Sequence, residues 1–163
     1  MVALRDKARL DEAMKLLFFG FRSVTSDPDR ILAKRGLGRV HHRVLFFVAR
    51  TPHITIGELL EVLAVSKQAL HRPLTELIRR KLLVAEPCET NRRTKELRLT
   101  KRGEAFEDRL SATQRARFER AFEAAGPEGE RGFCGVMRAL FEDKTPSIDD
   151  EVEQDAPSER RAD

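Results

Sequence analysis

Near the start of the chain, apolar side chains recur every three or four residues, the spacing that gathers them on one face of an α-helix. The members of this stripe are Leu10, Met14, Leu17, Phe18 and Phe21. They predict one amphipathic helix over about residues 4–24. Asp27 and Pro28 then form the N-cap and first position of a new helix. We therefore expect a second, short helix that ends near Gly36.

The next helix is predicted over about Arg39–Arg50, directly after Gly38. Its inward-facing positions are Val40, Val44, Phe47 and Val48. Residues 52–54, with the sequence Pro-His-Ile, break this helix and are a candidate for a short third strand.

The middle of the chain carries the pattern of two short helices, a tight turn and a hairpin. Thr55 and Glu58 stand at capping-box spacing, in which each side chain binds the other residue's backbone N–H. Ser66 is a favourable N-cap for the second helix. A polar tip over residues 89–95 and the alternating segment 96–100 predict the hairpin. This order is a helix-turn-helix followed by a wing, and its second helix would fit the major groove of DNA.

Two further helices are predicted beyond the wing. The first covers about residues 101–125 and ends at Gly126-Pro127, and the second covers about residues 128–142. Their apolar positions are Phe106, Leu110, Phe118, Phe122, Phe133, Val136, Met137, Leu140 and Phe141. With the first helix, these stripes exceed what one small winged helix covers, so we expect a homodimer that intertwines both termini. Two-fold symmetry would set the two recognition helices about 34 Å apart, one turn of DNA.

Composition and charge agree with this interpretation. Of 163 residues 36% are charged, and no apolar run approaches the ~20 residues of a membrane helix. The N-terminus lacks the apolar segment of a signal peptide, so we expect a cytoplasmic protein without a membrane partner. Residues 37–102 carry 14 basic and 6 acidic residues, a net +8. Such a concentration is the electrostatic footprint of a surface that binds the phosphates of double-stranded DNA.

The predicted fold class is mainly α: a winged helix-turn-helix with long N- and C-terminal dimerisation helices. We predict dimerisation helices over residues 1–36, a DNA-binding domain over 37–102, further dimerisation helices over 103–143 and a disordered tail over 144–163. The tail holds 7 acidic and 3 basic residues, a net −4, and almost no large apolar groups.

Several segments carry a family resemblance. They are Gly36-Leu37, Arg43-Val44-Leu45, the Thr55–Leu63 helix, Val-Ser-Lys-Gln-Ala-Leu at 65–70, Asn-Arg-Arg-Thr-Lys at 91–95 and Leu-Thr-Lys-Arg-Gly at 99–103. In this order they resemble the MarR family of winged-helix transcriptional regulators, over about residues 5–142. The resemblance implies a triangular homodimer, palindromic DNA sites and a crevice for a small-molecule effector between the dimer helices and the winged helix. Candidates for the crevice are Phe18, Phe21, His42 and Phe46; such Phe residues can also be simple core.

The chain departs from the family pattern at four positions. Asn91 stands where the family wing usually carries an Asp that braces the minor-groove Arg, here Arg93. Ala64 and Leu82 stand where Gly is usual, and either could require a left-handed backbone. Pro73 lies inside the recognition helix, where it removes one backbone hydrogen bond and could bend or shorten the helix.

The recognition helix has one polar face. Leu70, Leu74, Leu77 and Ile78 form the inward stripe, which leaves Ser66, Lys67, Gln68, His71, Arg72 and Thr75 outward. Gln68 can pair bidentately with adenine, and Lys67 or Arg72 can reach guanine or phosphate. At the wing tip, Arg92 and Arg93 are candidates for the minor groove. The alternative is that both regions are merely solvated polar surface.

Other chemistry is not indicated. The sequence shows no catalytic constellation, so we expect neither an enzyme nor a cofactor. His41 and His42 are adjacent on a helix and point about 100° apart, which argues against a shared metal ion. Cys88 and Cys134 are interpreted as structural thiols.

The sequence is thus interpreted as a homodimeric repressor that binds palindromic operators and is released by a small molecule. The alternative is a winged-helix dimer that contacts other proteins and has little specific DNA binding. The altered wing and Pro73 motivate that alternative, whereas the net +8 of residues 37–102 argues against it.

Overall fold

A computed structural model of the protein describes residues 4–88 and 94–142. In this part of the chain the elements are α1 (Leu4–Ala33), α2 (Arg39–Arg50), α3 (Ile56–Leu63), α4 (Lys67–Arg79), β1 (Leu83–Pro87), β2 (Lys95–Leu99) and α5 (Lys101–Glu142). The mainly α class and the winged helix-turn-helix order are confirmed. The chain divides into two compact units, Met1–Arg120 and Ala121–Asp163. The four functional segments predicted from the sequence stay a prediction, and the tail lies outside the described residues.

Helix α1 is continuous to Ala33, so the prediction of a separate helix beginning at Asp27 is wrong. The Asp27 carboxylate caps nothing; it accepts hydrogen bonds from Nε and Nη2 of Arg117 on α5, at 2.9 and 2.6 Å. Pro28 is fully buried. A proline removes one backbone hydrogen bond from a helix interior, and here burial and the ion pair with α5 hold the helix together across it.

Helix α2 begins after Gly38, as predicted, and supplies the centre of the core. The Nδ1 atom of His41 accepts the Gly38 N–H at 3.0 Å, which is the half of a capping box that the N3 side chain supplies; Gly38 has no side chain to supply the other half. At the other end, Arg50 donates to the Glu107 carboxylate on α5 at 2.8 Å. Glu107 is buried and also accepts from Ser111, which satisfies the charge with hydrogen bonds.

The wing strands β1 and β2 are antiparallel, with Leu83 opposite Leu99 at the base. The candidate third strand is reduced to a single bridge, between Thr55 and Glu96. The core lies between these strands and the helices and consists of Leu32, Leu37, Val44, Leu45, Val48, Ile54, Leu59, Leu63, Leu70, Leu74, Leu77, Leu82, Leu83, Leu97, Leu99, Phe106 and Leu110.

The predicted break at Gly126-Pro127 is present as a kink within α5. Gly126 has φ 73° and ψ 173°, which is not helical, although the helix is assigned continuously to Glu142. Within the second unit, the rings of Phe122 and Phe133 are 5.7 Å apart, across the kink. No helix in the described ranges is long and apolar enough to cross a membrane.

Candidate DNA-binding surface

Helix α4 presents the predicted polar face. The Ser66 hydroxyl caps the helix by accepting the Ala69 N–H at 3.2 Å. Leu70, Leu74 and Leu77 are buried, whereas Ile78 is 38% exposed and does not belong to the inward stripe. Pro73 lies within an unbroken helix. The six predicted contact residues are all exposed: Ser66, Lys67, Gln68, His71, Arg72 and Thr75.

The turn before α4 uses a left-handed residue. The capping box of α3 is confirmed, since Glu58 N–H donates to Thr55 Oγ1 at 3.2 Å and Thr55 N–H donates to Glu58 Oε2 at 2.8 Å. Hydrogen bonds donated to the Glu58 carboxylate by the Thr55 backbone N–H and then by the Thr55 hydroxyl lower the pKa of Glu58. Ala64 then adopts φ 49° and ψ 48°. A side chain in this region costs roughly 1–2 kcal/mol, so the Gly usual here in the family has a conformational reason.

The C-terminal end of α4 is fixed from two sides. Nη1 of Arg80 donates to the backbone carbonyl of Arg35, in the α1–α2 loop, at 2.6 Å. The Thr100 hydroxyl donates to the Lys81 carbonyl at 2.7 Å. Lys81 itself has φ 57°, so the left-handed residue after α4 is Lys81 and the suggestion that Leu82 needs this conformation is wrong. Gly103 closes the junction, because a Cβ there would lie 1.9 Å from the Leu82 carbonyl oxygen.

The base of the wing is described, but its tip is not. Arg98 pairs with Glu86 across the strands at 3.1 Å. Nδ1 of His53 lies 2.9 Å from Oε2 of Glu96, and hydrogen bonds from Cys88 and then His53 lower the pKa of that carboxyl. The predicted minor-groove residues Arg92 and Arg93, with their neighbour Asn91, lie outside the described residues.

A crevice of about 220 Å³ opens between α1, α2 and α5. Of the predicted lining residues, Phe21, His42 and Phe46 are present. The structure does not place Phe18 in this lining; its ring is 62% exposed and packs edge-on against Phe19 at 5.3 Å. The difference follows from helix geometry, because three residues turn the helix by about 300° and so separate Phe18 from Phe21 by about 60°. The other lining residues are Thr25, Asp29, Arg39, Arg43, Phe47 and Gln114.

The two adjacent histidines have different surroundings. Burial lowers the pKa of His41, whose Nδ1 holds the Gly38 N–H. Burial also lowers the pKa of His42, whose Nε2 is buried without a hydrogen-bond partner among the described residues. No group of three or more His, Cys, Asp or Glu in residues 4–88 and 94–142 is arranged to hold a metal ion.

A cluster of charges at the end of α4 was not predicted from the sequence. Arg79 donates to Glu76 through Nε at 2.9 Å and through Nη2 at 2.7 Å. Arg80 donates to the same carboxylate through Nε at 2.5 Å. Hydrogen bonds from Arg79 and then Arg80 lower the pKa of Glu76 to about 2. The i,i+3 spacing of Glu76 and Arg79 and the i,i+4 spacing of Glu76 and Arg80 are a readable signal for such pairs.

A capped, exposed helix in a helix-turn-helix, followed by an antiparallel wing, defines a winged-helix DNA-binding protein. Comparison with known proteins identifies the family. A model of the MarR family matches residues 35–94. The HTH-type transcriptional regulator PetP of Rhodobacter capsulatus is 39% identical over 134 residues, which are 82% of this chain and 81% of PetP. The chain therefore belongs to the MarR family of DNA-binding transcriptional regulators.

Solved structures show the same fold. A crystal structure of a MarR family transcription regulator superposes with a TM-score of 0.71 at 21% identity, and covers 93% of this chain and 97% of its own. A MarR family regulator from Silicibacter pomeroyi gives a TM-score of 0.67 at 23% identity, with 78% and 86% covered. At these identities the likeness shows the fold alone.

Proposed function

We propose that a cytoplasmic homodimer of this chain represses transcription by inserting one α4 from each subunit into successive major grooves of a palindromic operator. Gln68 and its neighbours at the N-terminal end of α4 read base edges, and Lys67 and Arg72 contact guanine or phosphate. The wing arginines Arg92 and Arg93 enter the minor groove. Occupation of the crevice between α1, α2 and α5 by a small molecule releases the DNA.

One observation carries the DNA-binding part of this proposal. Six polar or basic side chains are exposed along a single face of α4, while the opposite face is buried in the core. The helix is held at both ends, by Ser66 at the start and by Arg80 at the end. Since Pro73 does not interrupt α4, the structural motive for a purely protein-binding module is weakened.

Exposed apolar surface supports the homodimer. On α1, Met14 and Phe18 are each 62% exposed and Leu17 is 50% exposed. In the second unit, Val136 is 61% exposed and Phe141 is 88% exposed. Groups of large exposed apolar side chains on a soluble domain mark a protein interface, and two-fold pairing of identical patches would bury them.

The experiment is selection of bound sequences from a random duplex library by the purified protein. We expect enrichment of a palindrome with half-sites about 10 bp apart, one helical turn. Gln68→Ala should relax base preference at one position per half-site, because a lost bidentate base contact costs about 1–3 kcal/mol. Lys67→Ala, the matched change one residue earlier, should weaken binding to all sequences. Failure of the parent protein to enrich any palindrome would contradict the proposal.

A further inference from the structure

Arg79 lies on the same face of α4 as the proposed base-reading residues. At 100° per residue, the four-residue step from Thr75 and the eleven-residue step from Gln68 each leave Arg79 within about 40° of them around the helix. Its side chain is 68% exposed. At 1.5 Å per residue, Arg79 stands about 16 Å beyond Gln68 along the axis, at the end of α4 that leaves the groove.

The neighbouring Glu76 holds the Arg79 guanidinium in a fixed direction. Glu76 is only 25% exposed, and its two oxygens bind Nε and Nη2 of Arg79 in a bidentate pair. The same carboxylate binds Arg80, which is itself fixed to the Arg35 carbonyl. Glu76 is therefore anchored to the body of the domain and does not move freely with Arg79.

This pairing leaves donors available on Arg79. A guanidinium has five N–H donors in a planar fork. The contact with Glu76 occupies one edge of the fork, while both N–H groups of Nη1 and the second N–H of Nη2 are not used in it. The free edge is the geometry that binds two oxygens of a phosphate.

We infer that Arg79 contacts a DNA backbone phosphate at the end of α4 opposite the base-reading end, with Glu76 as the positioning residue that orients it. This inference rests on the proposed function, since it requires α4 to lie in the major groove. The contact is independent of base sequence, because it involves only the backbone.

The test uses an arbitrary duplex of about 30 bp, because a phosphate contact does not require the operator. Affinity is measured for the full-length parent and for Arg79→Ala between about 50 and 200 mM salt. We expect weaker binding at low salt and a slope of log affinity against log salt that is smaller by about 0.9 for each subunit in contact. The matched control is Arg109→Ala, which removes the same charge from an exposed position on α5. Equal behaviour of the two variants would overturn the inference.

A double-mutant cycle tests the role of Glu76. Glu76→Gln should reduce the loss of DNA affinity caused by Arg79→Ala. Without Glu76 to orient it, the Arg79 side chain contributes less to binding, so removing it costs less. An equal loss with and without the Glu76→Gln substitution would show that Glu76 does not position Arg79. A larger loss in the protein that carries Glu76→Gln would show that Glu76 competes with the phosphate. Arg79→Lys keeps the charge but not the planar fork. The loss of affinity that it causes should be smaller in the protein that carries Glu76→Gln, because an ammonium does not use the bidentate geometry that Glu76 orients.

Two measurements keep these outcomes distinct. Circular dichroism and thermal melting of each variant establish that α4 remains folded, and Arg79→Gln, which also removes the positive charge, serves if Arg79→Ala does not fold. If the parent binds no duplex DNA, the proposed function and the Arg79 inference fall together. If the parent binds and Lys67→Ala lowers its salt slope while Arg79→Ala does not, only the Arg79 inference falls.

Discussion

At the scale of the residue, Ala64 in the turn between α3 and α4 adopts a backbone conformation that lowers the stability of the fold. Ala64 stands in the left-handed region, and no residue except glycine does so without cost. The sequence identified this position because the family pattern has glycine there. It could not identify Lys81, because the left-handed conformation follows from how the chain leaves α4 for β1, a tertiary property.

Replacing Ala64 with Gly should stabilise the protein. Relief of the left-handed strain, roughly 1–2 kcal/mol, outweighs the larger entropy of an unfolded glycine, about 0.4–1 kcal/mol, for a net gain of about 0.5–1 kcal/mol. Urea denaturation measures the free energy of unfolding. Ala105→Gly, at an exposed position inside α5, is the control and should destabilise by about 0.5–1 kcal/mol. A loss of stability from Ala64→Gly would contradict the strain argument.

The two half-buried histidines, His41 and His42, predict a dependence of stability on pH. Burial lowers the pKa of both His41 and His42 below the usual value of 6.5. The unfolded chain therefore binds protons more readily, so the free energy of unfolding is greatest above pH 6.5 and falls as the pH drops below it. Protonation of His41 also removes the acceptor that caps α2. Carboxyl groups with lowered pKa values, such as Glu76, lose their contribution only below about pH 4.5.

Urea denaturation at several pH values between about 5.5 and 7.5 checks this. His41→Ala and His42→Ala should each flatten the dependence. The same substitution at exposed His71 controls for the loss of a histidine. An unchanged pH dependence of stability in both the His41→Ala and the His42→Ala protein would show that these residues do not govern it.

At the scale of the element, local signals predicted most helix boundaries and tertiary contacts corrected the rest. The capping residues at the start of α3 and α4 can be recognised directly in the sequence: they are Thr55 and Glu58 for α3 and Ser66 for α4. Asp27-Pro28 is an equally good local signal, yet no helix begins there. The Asp27 carboxylate instead binds Arg117, which lies 90 residues later in the chain. Nothing in the sequence near Asp27 reveals this contact.

The hydrogen bonds from Arg117 to α1 should therefore keep α1 helical across Pro28. Arg117 donates to the Asp27 carboxylate, to Ser23 Oγ at 3.0 Å and to Ser26 Oγ at 3.3 Å. Arg117→Ala should lower the melting temperature and the helical circular dichroism signal. The control is Arg115→Ala, which breaks the pair with Asp108 in which both side chains are more than half exposed. Equal melting temperatures for the two variants would contradict this role.

The candidate DNA-binding surface on α4 was also predicted in part from local signals and in part not. The outward face of α4 follows from helical periodicity alone, because the buried leucines fix which side remains free. The sequence pattern places Glu76, Arg79 and Arg80 at the C-terminal end of the helix, beyond the residues that it predicts to contact DNA. Their connection to Arg35 depends on the placement of the α1–α2 loop, which the helix-turn-helix pattern does not contain.

At the scale of the whole molecule, the distribution of apolar surface predicts assembly. If the proposed homodimer forms through the exposed α1 stripe, Met14→Lys at its centre should yield a monomer, because an ammonium would be buried without a partner. Glu12→Lys introduces the same side chain about 160° around the helix and should leave the dimer intact. Sedimentation measures the mass, with detection by refractive index because the chain has no Trp or Tyr. A dimeric Met14→Lys protein would remove α1 from the interface.

The link between Arg80 and the Arg35 carbonyl has a consequence for exchanging parts between relatives. The acceptor is main chain, which every amino acid supplies, so the contact places no demand on the side chain at position 35. The donor and its carboxylate partner both come from the segment 66–80. Residues 66–80 of this chain, if grafted into a homologue, would therefore bring with them both the Arg80 donor and its carboxylate partner Glu76. A graft that stops at Thr75 would transfer the proposed DNA-contact residues without Glu76 and Arg80, which fix the end of the helix to the α1–α2 loop.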